Sequence, residues 1–358
     1  MWTGRTWPTP WWPDMTHTHA IADERLQVLL ATPAHAAAIT ACVRAVRGEA
    51  YPNRLLYRTD DLALAIKQGR LVVAIAVLPS TGQVVGMAAL DCSPYGPVAE
   101  LGMVMVLPPL RRLHIADDLR GVLITHGQSQ GLRGVYTEVL APETDAQPGN
   151  LVGQTFAERE GVSPCGVTLG LWPDSDGGRQ SFVRYLRPSA PGRVSTLCRL
   201  PARHQSLASE ILGRLGYPVE FVADGAVSGT GALHTLREPE LSSWVLDVSR
   251  IGVDTASQLL SVITQIQANP AVTCAHLELP LAQPGAMALC ELAEAQGFFF
   301  STLTPHAFRD GPGLRLQWLA APIDTTQLVL LNPLAQRIAH YQAQEQFRVR
   351  PRASMIAA

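Results

Sequence analysis

The stretch VLPPLRRLHIA, Val106–Ala116, follows an apolar run, AELGMVMVLP (99–108), and leads into an amphipathic one. Two prolines stop the strand and two arginines follow. Ile115, Leu119, Val122, Leu123 and His126 then fall at helical spacing to about Gln130. A strand, a basic turn and a helix start in this order make either an ordinary solvated turn or a loop that holds phosphate. The second reading has a physical basis. The first four N–H groups of a helix lack intrahelical acceptors, and the helix dipole favours an anion there. Arg111 or Arg112 adds a charge-assisted contact. Glycine is favoured in such loops because the backbone approaches the phosphates closely and takes positive φ. His114 stands at the glycine position, and histidine enters the left-handed region more readily than a β-branched residue does. Asp117 and Asp118 suit a helix start, yet they repel a pyrophosphate placed close to them.

Working outward, RLQVLLAT (25–32) reads as a strand, 33–50 as a helix with Pro33 in its first turn, and 58–69 as a second helix. RLVVAIAVLP, VVGMAALDC and AELGMVMVLP form a strand meander. After the helix that starts at Ile115 come a strand at VYTEVL (135–140), a helical or irregular segment at about 148–160, and a last strand, CGVTLGLWP (165–173). The order β-α-α-β-β-β-α-β-α-β predicts an α/β fold built on a mixed, mainly antiparallel sheet with helices on both faces.

A looser copy of the second part of this pattern stands near the C-terminus: strand 242–251, helix 254–267, strand 274–281, helix 285–297, and strands at 298–306 and 314–320. Residues 138–161 and 277–297 share a strand with a carboxylate (Glu138, Glu278), a Gln-Pro-Gly loop and a helix ending in glycine, which reads as an internal duplication. The expected division is a Trp/Pro-rich arm (1–22), two domains (23–188 and 189–322) and a C-terminal helix with tail (323–358). SAPGR (189–193) is the boundary segment.

Composition fits this plan. The 358 residues are 47% hydrophobic and 16% charged, enough apolar material for two cores. A formal net charge of −2, without a basic cluster interleaved with aromatics, argues against a nucleic-acid partner. The six cysteines form no CxxC pair, so the expectation is reduced thiols, no metal site and a cytoplasmic setting. No run reaches the length of a membrane span. The arm, with four tryptophans and three prolines in residues 1–19, reads as a docking strap for a protein partner.

The strand order, with VLPPLRRLHIADDL at the end of the fourth strand, resembles the GNAT superfamily of acyl-CoA-dependent N-acyltransferases. Its hallmark is Val-x-Pro followed by Arg/Gln-x-x-Gly-x-Gly/Ala and a helix. Val106, Pro108, Arg111 and Ala116 fit that pattern, and His114 replaces the first glycine. The resemblance implies an acetyl-CoA or other acyl-CoA co-substrate. The pyrophosphate would be held by Arg111, Arg112, Leu113, His114, Ile115 and Ala116. The pantetheine arm would lie along Met103, Val104, Met105 and Val106. It also implies a tandem GNAT arrangement over the two domains. The second copy has GVDTAS (252–257) in place of the phosphate motif and is expected to be degenerate.

Acyl transfer needs a neutral amine, and deprotonating a lysine-like amine at neutral pH costs roughly 4–5 kcal/mol. Glu100, eleven residues before Arg111, matches the place where some family members carry their general base; as a strand-end carboxylate it could equally face water. Glu138, inside an apolar strand, is the second candidate, because a carboxylate there requires a partner or a role. The family's usual acid, a tyrosine on the following helix, has no counterpart, since no tyrosine occurs between 137 and 184 and Phe156 is the nearest aromatic. His114, His126 and Cys165 read as structural, and DGAVSGTGALH (224–234) as a flexible loop. Two functions follow from the resemblance: an N-acetyltransferase acting on a small amine, or a degenerate double GNAT serving as a CoA-sensing or scaffold subunit.

Overall fold

The structure is a computed structural model that describes residues 20–21, 24–93, 96–143, 151–173, 178–189 and 196–350. The N-terminal arm lies outside the described residues, except that Ala20–Ile21 pairs with Glu24–Arg25. The boundary segment 189–193 also lies outside them beyond Ser189. Two compact units are present, Met1–Cys92 with Leu101–Gly131, and Ser93–Glu100 with Leu132–Ala358.

The first unit holds β1 (Gln27–Leu30), α1 (Ala36–Arg47), α2 (Thr59–Lys67), β2 (Leu71–Leu78), β3 (Gln83–Cys92), the later part of β4 (Val98–Val106), and α3 (Ile115–Ser129). Its strands lie in the order β1-β2-β3-β4. Period-two alternation gives the sheet two faces. Leu71, Val73 and Ile75 of β2 and Met87 and Ala89 of β3 share a core with Ile39 and Val43 of α1 and Leu62 and Ala65 of α2. The alternate positions are small: Ala74, Ala76, Gly86 and Ala88. That lets α3 come close, with Ile115 Cγ2 only 3.3 Å from where a Gly86 Cβ would stand.

The second unit begins with Val98–Glu100 of β4 and continues with β5 (Gly134–Ala141), α4 (Val152–Arg159), β6 (Ser163–Pro173) and β7 (Arg179–Pro188). Then come β8 (Thr196–Cys198), α5 (Ala202–Arg214), β9 (Val219–Phe221), β10 (Ala232–Glu238), β11 (Ser243–Arg250), α6 (Thr255–Ala268), β12 (Cys274–Pro280), α7 (Ala286–Ala295), β13 (Phe299–Phe308), β14 (Gly311–Leu319) and α8 (Pro333–Val349). The main strand order is β4-β5-β7-β6-β13-β14-β12-β11-β10. β4–β5 and β11–β12 are parallel and the other neighbours antiparallel, so the sheet is mixed and mainly antiparallel, as the pattern predicts. The succession β4-β5-β7-β6 recurs as β11-β12-β14-β13, each with one parallel pair followed by antiparallel ones. The two runs meet where Thr302 faces Gly166. A Cβ on residue 166 would lie 2.4 Å from the Thr302 Cα, so only glycine lets these strands meet.

Several expectations need correction. β7 was not anticipated: RQSFVRYLRP carries three arginines, which break the apolar run, although Ser181–Leu186 are all buried. β8, α5, β9 and β10 were likewise unread, being short or polar. The loop read as flexible at 224–234 is tied down, and its last residues form the start of β10. All six cysteines are free thiols. Among the described residues, no helix is long and apolar enough to cross a membrane.

Candidate functional site

After β4 the chain makes a short 3₁₀ turn at Pro108–Leu110, and the amide of Leu110 donates to Leu107 O at 2.9 Å. Arg112 (φ 69°) and His114 (φ 57°, ψ 11°) both take left-handed conformations on either side of Leu113. The glycine position is therefore filled by a histidine that adopts the glycine-like backbone. Its ring is turned to water, with Nδ1 3.0 Å from Asp117 Oδ2. Asp117 is further drawn towards Arg120 at 3.9 Å, and Asp118 is buried. Both aspartate amides donate to His114 O, at 2.9 and 3.2 Å. Among the described residues, the amides of Leu113, His114, Ile115 and Ala116 donate to no backbone acceptor. Alternating left-handed residues before a helix start make a concave row of N–H groups suited to an anion. Arg111 and Arg112 are exposed beside it, Arg111 Nε donating to Val106 O at 3.3 Å.

The loop's conformation sets a prediction. A β-branched residue at 114 cannot take this backbone without strain of roughly 1–2 kcal/mol, whereas glycine takes it freely. His114→Val is expected to lower the unfolding free energy by about that amount, and His114→Gly is not. Denaturant titration of both variants reads this; equal stability of the two would show that the left-handed backbone at 114 carries no strain.

Along β4, Met103 has φ 56°, an irregularity within the strand, and the Met105 side chain lies in the core. Met105 therefore offers a ligand only its backbone. Glu100, half-buried, stands opposite Tyr136 in the parallel register of β4 and β5. Burial, and then the nearby Glu100 carboxylate, push the Tyr136 hydroxyl well above its ordinary range, and the ring lies 4.3 Å beneath the Arg184 guanidinium.

Glu138 is committed to arginine. Arg184 donates to its Oε1 from Nη2 at 2.7 Å and from Nε at 3.1 Å, and Arg315 Nη1 stands 3.5 Å away. Burial raises the Glu138 pKa, but the two guanidinium groups outweigh it and the net shift is downward. A carboxylate held ionised between two cations is a poor proton acceptor, so this geometry gives Glu138 a structural role. Neither arginine was singled out in the sequence; the signal was a charge inside each of two apolar strands. α4 carries Phe156 and no tyrosine. Tyr185, on the unread strand β7, donates instead to Glu158 at 3.2 Å.

In the second run of strands, the helix start equivalent to that of α3 is occupied by its own chain. Val253 N donates to Gly229 O (2.9 Å), Gly252 N to Thr255 Oγ1 (2.8 Å), and Asp254 Oδ1 accepts from Gly231 N (2.7 Å). A Cβ on Gly252 would lie 2.0 Å from Gly231 N, so the loop seals this end of α6. Elsewhere His204, Cys290 and Glu294 bring ligand atoms within 4.8 Å of one another. Glu294 already accepts from His204 Nε2 (2.5 Å) and pairs with Arg203 and Arg348, two charges that oppose a metal cation.

The sequence model of the acetyltransferase (GNAT) family matches residues 40–148. No curated protein matches the chain. Among solved structures, the ribosomal-protein-S18-alanine N-acetyltransferase of Escherichia coli is similar at 17% identity, covering 47% of this chain and 97% of its own, with a TM-score of 0.37. The ribosomal-protein-S5-alanine acetyltransferase of Vibrio fischeri is similar at 12% identity over 46% and 92%, with a TM-score of 0.37. The PaiA N-acetyltransferase of Thermoplasma acidophilum, in complex with coenzyme A, is similar at 12% identity over 46% and 98%, with a TM-score of 0.33.

Proposed function

We propose that this protein, whose residues 40–148 match the acetyltransferase (GNAT) family model, is an acyl-CoA-dependent N-acetyltransferase that transfers the acyl group directly to a small amine acceptor. The observation that carries this reading is the 112–116 loop, where the left-handed Arg112 and His114 lead into the helix start and the amides of Leu113, His114, Ile115 and Ala116 have no backbone acceptors. These amides fit a pyrophosphate, with Arg111 and Arg112 beside it and the backbone of Met103–Val106 offered to the pantetheine arm. Acyl-CoA supplies the activated thioester. Glu100 takes a proton from the acceptor ammonium, the freed amine nitrogen attacks the thioester carbonyl, the C–N bond forms, the C–S bond breaks and the nitrogen gives up its second proton to solvent. In place of a tyrosine, solvent returns a proton to the departing thiolate.

The second run of strands enters the proposal as the degenerate partner of a tandem GNAT pair. Its phosphate position is closed by Gly229–Gly231, so one CoA per chain is expected. Native mass spectrometry of the full chain with acetyl-CoA reads the stoichiometry, and turnover with an amine panel reads the reaction. Two bound CoA molecules would refute the closed second site. No binding at about 1 mM, the upper end of ordinary substrate affinities, would refute the CoA site itself. A CoA-sensing or scaffold subunit is the second reading, favoured by the absence of a tyrosine in α4. Binding without turnover on any amine selects it.

A further inference from the structure

Two aspartates stand in the first turn of α3, where a bound pyrophosphate would lie, and their placement decides whether an anion can approach. Asp118 is buried. Asp117 is the third residue of the helix, with His114 as its capping residue, and its amide donates to His114 O at 2.9 Å. It therefore shares a turn with the amides of Leu113, His114, Ile115 and Ala116, which have no backbone acceptor. A carboxylate at this third position commonly turns back to the amide of the capping residue. There it would satisfy the helix start from within the chain and repel a phosphate. A carboxylate does occupy such amides elsewhere in this protein: Asp224 accepts from Gly285 N at 2.6 Å and from Ala288 N at 3.0 Å around the start of α7.

Asp117 is not turned back. Its Oδ2 lies 3.0 Å from His114 Nδ1, and its Oδ1 lies 3.9 Å from Nη1 of Arg120, three residues further along the helix. An ionised carboxylate only accepts, so His114 Nδ1 carries the proton in this contact. His114 takes the left-handed backbone that glycine takes in such a loop, so the loop keeps its shape and gains a side chain. The two side chains are 80% and 37% exposed, and a surface pair of this kind holds little stability. What it fixes is where the carboxylate points.

We propose that His114 is a positioning residue for the cofactor: its ring holds the Asp117 carboxylate away from the helix-start amides and so keeps them open to an anion. This role rests on the reading of the 112–116 loop as the CoA pyrophosphate site, and it gives a task to the residue at which the loop departs from glycine. The consequence runs against the family pattern. Glycine at 114 leaves the backbone unstrained but frees Asp117, which keeps only Arg120, beyond hydrogen-bonding distance at 3.9 Å. The freed carboxylate then competes with pyrophosphate for the amides.

Calorimetric titration of the full chain with CoA tests this on wild type, His114→Gly, Asp117→Asn and the double variant. His114→Gly is expected to bind CoA about tenfold more weakly. Its urea midpoint should match that of wild type, so the loss is one of binding and not of folding. Asp117→Asn alone is expected to bind at least as well as wild type. The double variant should return to within about threefold of wild type, because asparagine brings no charge against the phosphates. If glycine merely loosened the loop, the double variant would stay as weak as His114→Gly, and that result overturns the proposal. A His114→Gly variant that binds CoA as wild type does overturns it too, and leaves the CoA site itself standing. Wild type that binds no CoA overturns the site and this role with it.

Discussion

Glu100→Gln is expected to reduce kcat by about 10²–10³-fold while leaving CoA affinity within about twofold. The substitution keeps the size and hydrogen-bonding reach of the side chain and removes only its capacity to take a proton. An ammonium acceptor is no nucleophile, and its deprotonation at neutral pH is the part of the barrier that a base supplies. Glu138 does not suit the task, because it is locked between Arg184 and Arg315; Glu100 is half-buried at the parallel end of β4. The measurement is steady-state kinetics with a responsive amine, together with direct CoA titration. The variant's rate should recover towards wild type at high pH, where the free amine is present without help. Full turnover at neutral pH would clear Glu100 of the role.

Arg184→Ala is expected to destabilise the protein by about 3–5 kcal/mol, the range for breaking a buried ion pair from one side. Removing the guanidinium leaves the Glu138 carboxylate with Arg315 and the Thr168 hydroxyl, each at 3.5 Å, and takes the cation from the Tyr136 ring. The double variant Arg184→Met with Glu138→Leu is expected to recover most of the loss, because it removes the charge as well as its partner. The pH dependence has a definite sign. The pKa of Glu138 is depressed in the folded state, so its contribution is present above the ordinary carboxylate value and is lost as pH falls through that value and below it. Wild type should therefore lose stability on acidification through this residue, and the double variant should lose less. Urea titrations across the acidic range measure both effects. A single variant within about 1 kcal/mol of wild type would show that the pair holds little of this sheet together.

The legibility of each element follows from the range of the forces that form it. β2, β3 and the helix α3 were readable because each carries a long apolar run or a regular stripe, which local pattern alone reveals. β7 was not, since its buried Arg184 looks like a break in an apolar strand until its partner on β5 is known. β8 and β9, of three residues each, pair with each other across the intervening α5 and leave no periodic trace. The loop positions of Arg111 and His114 were legible because the motif is contiguous, and Glu100 followed from the resemblance. Arg315 was not, because the Glu138 it approaches lies in a distant stretch of the chain.

The sequence by itself determined the order of helices and strands in the first unit, the basic loop at a helix start and the absence of a tyrosine on the helix that follows β5. These depend on spacing and side-chain chemistry within a few residues. Only the tertiary structure decided that His114 takes the left-handed backbone of the glycine it replaces, and that Glu138 is neutralised by two arginines. It also decided that the start of α6 is sealed by Gly229–Gly231. A backbone conformation and an ion pair are set by what the rest of the chain brings alongside, and that is fixed by strand register.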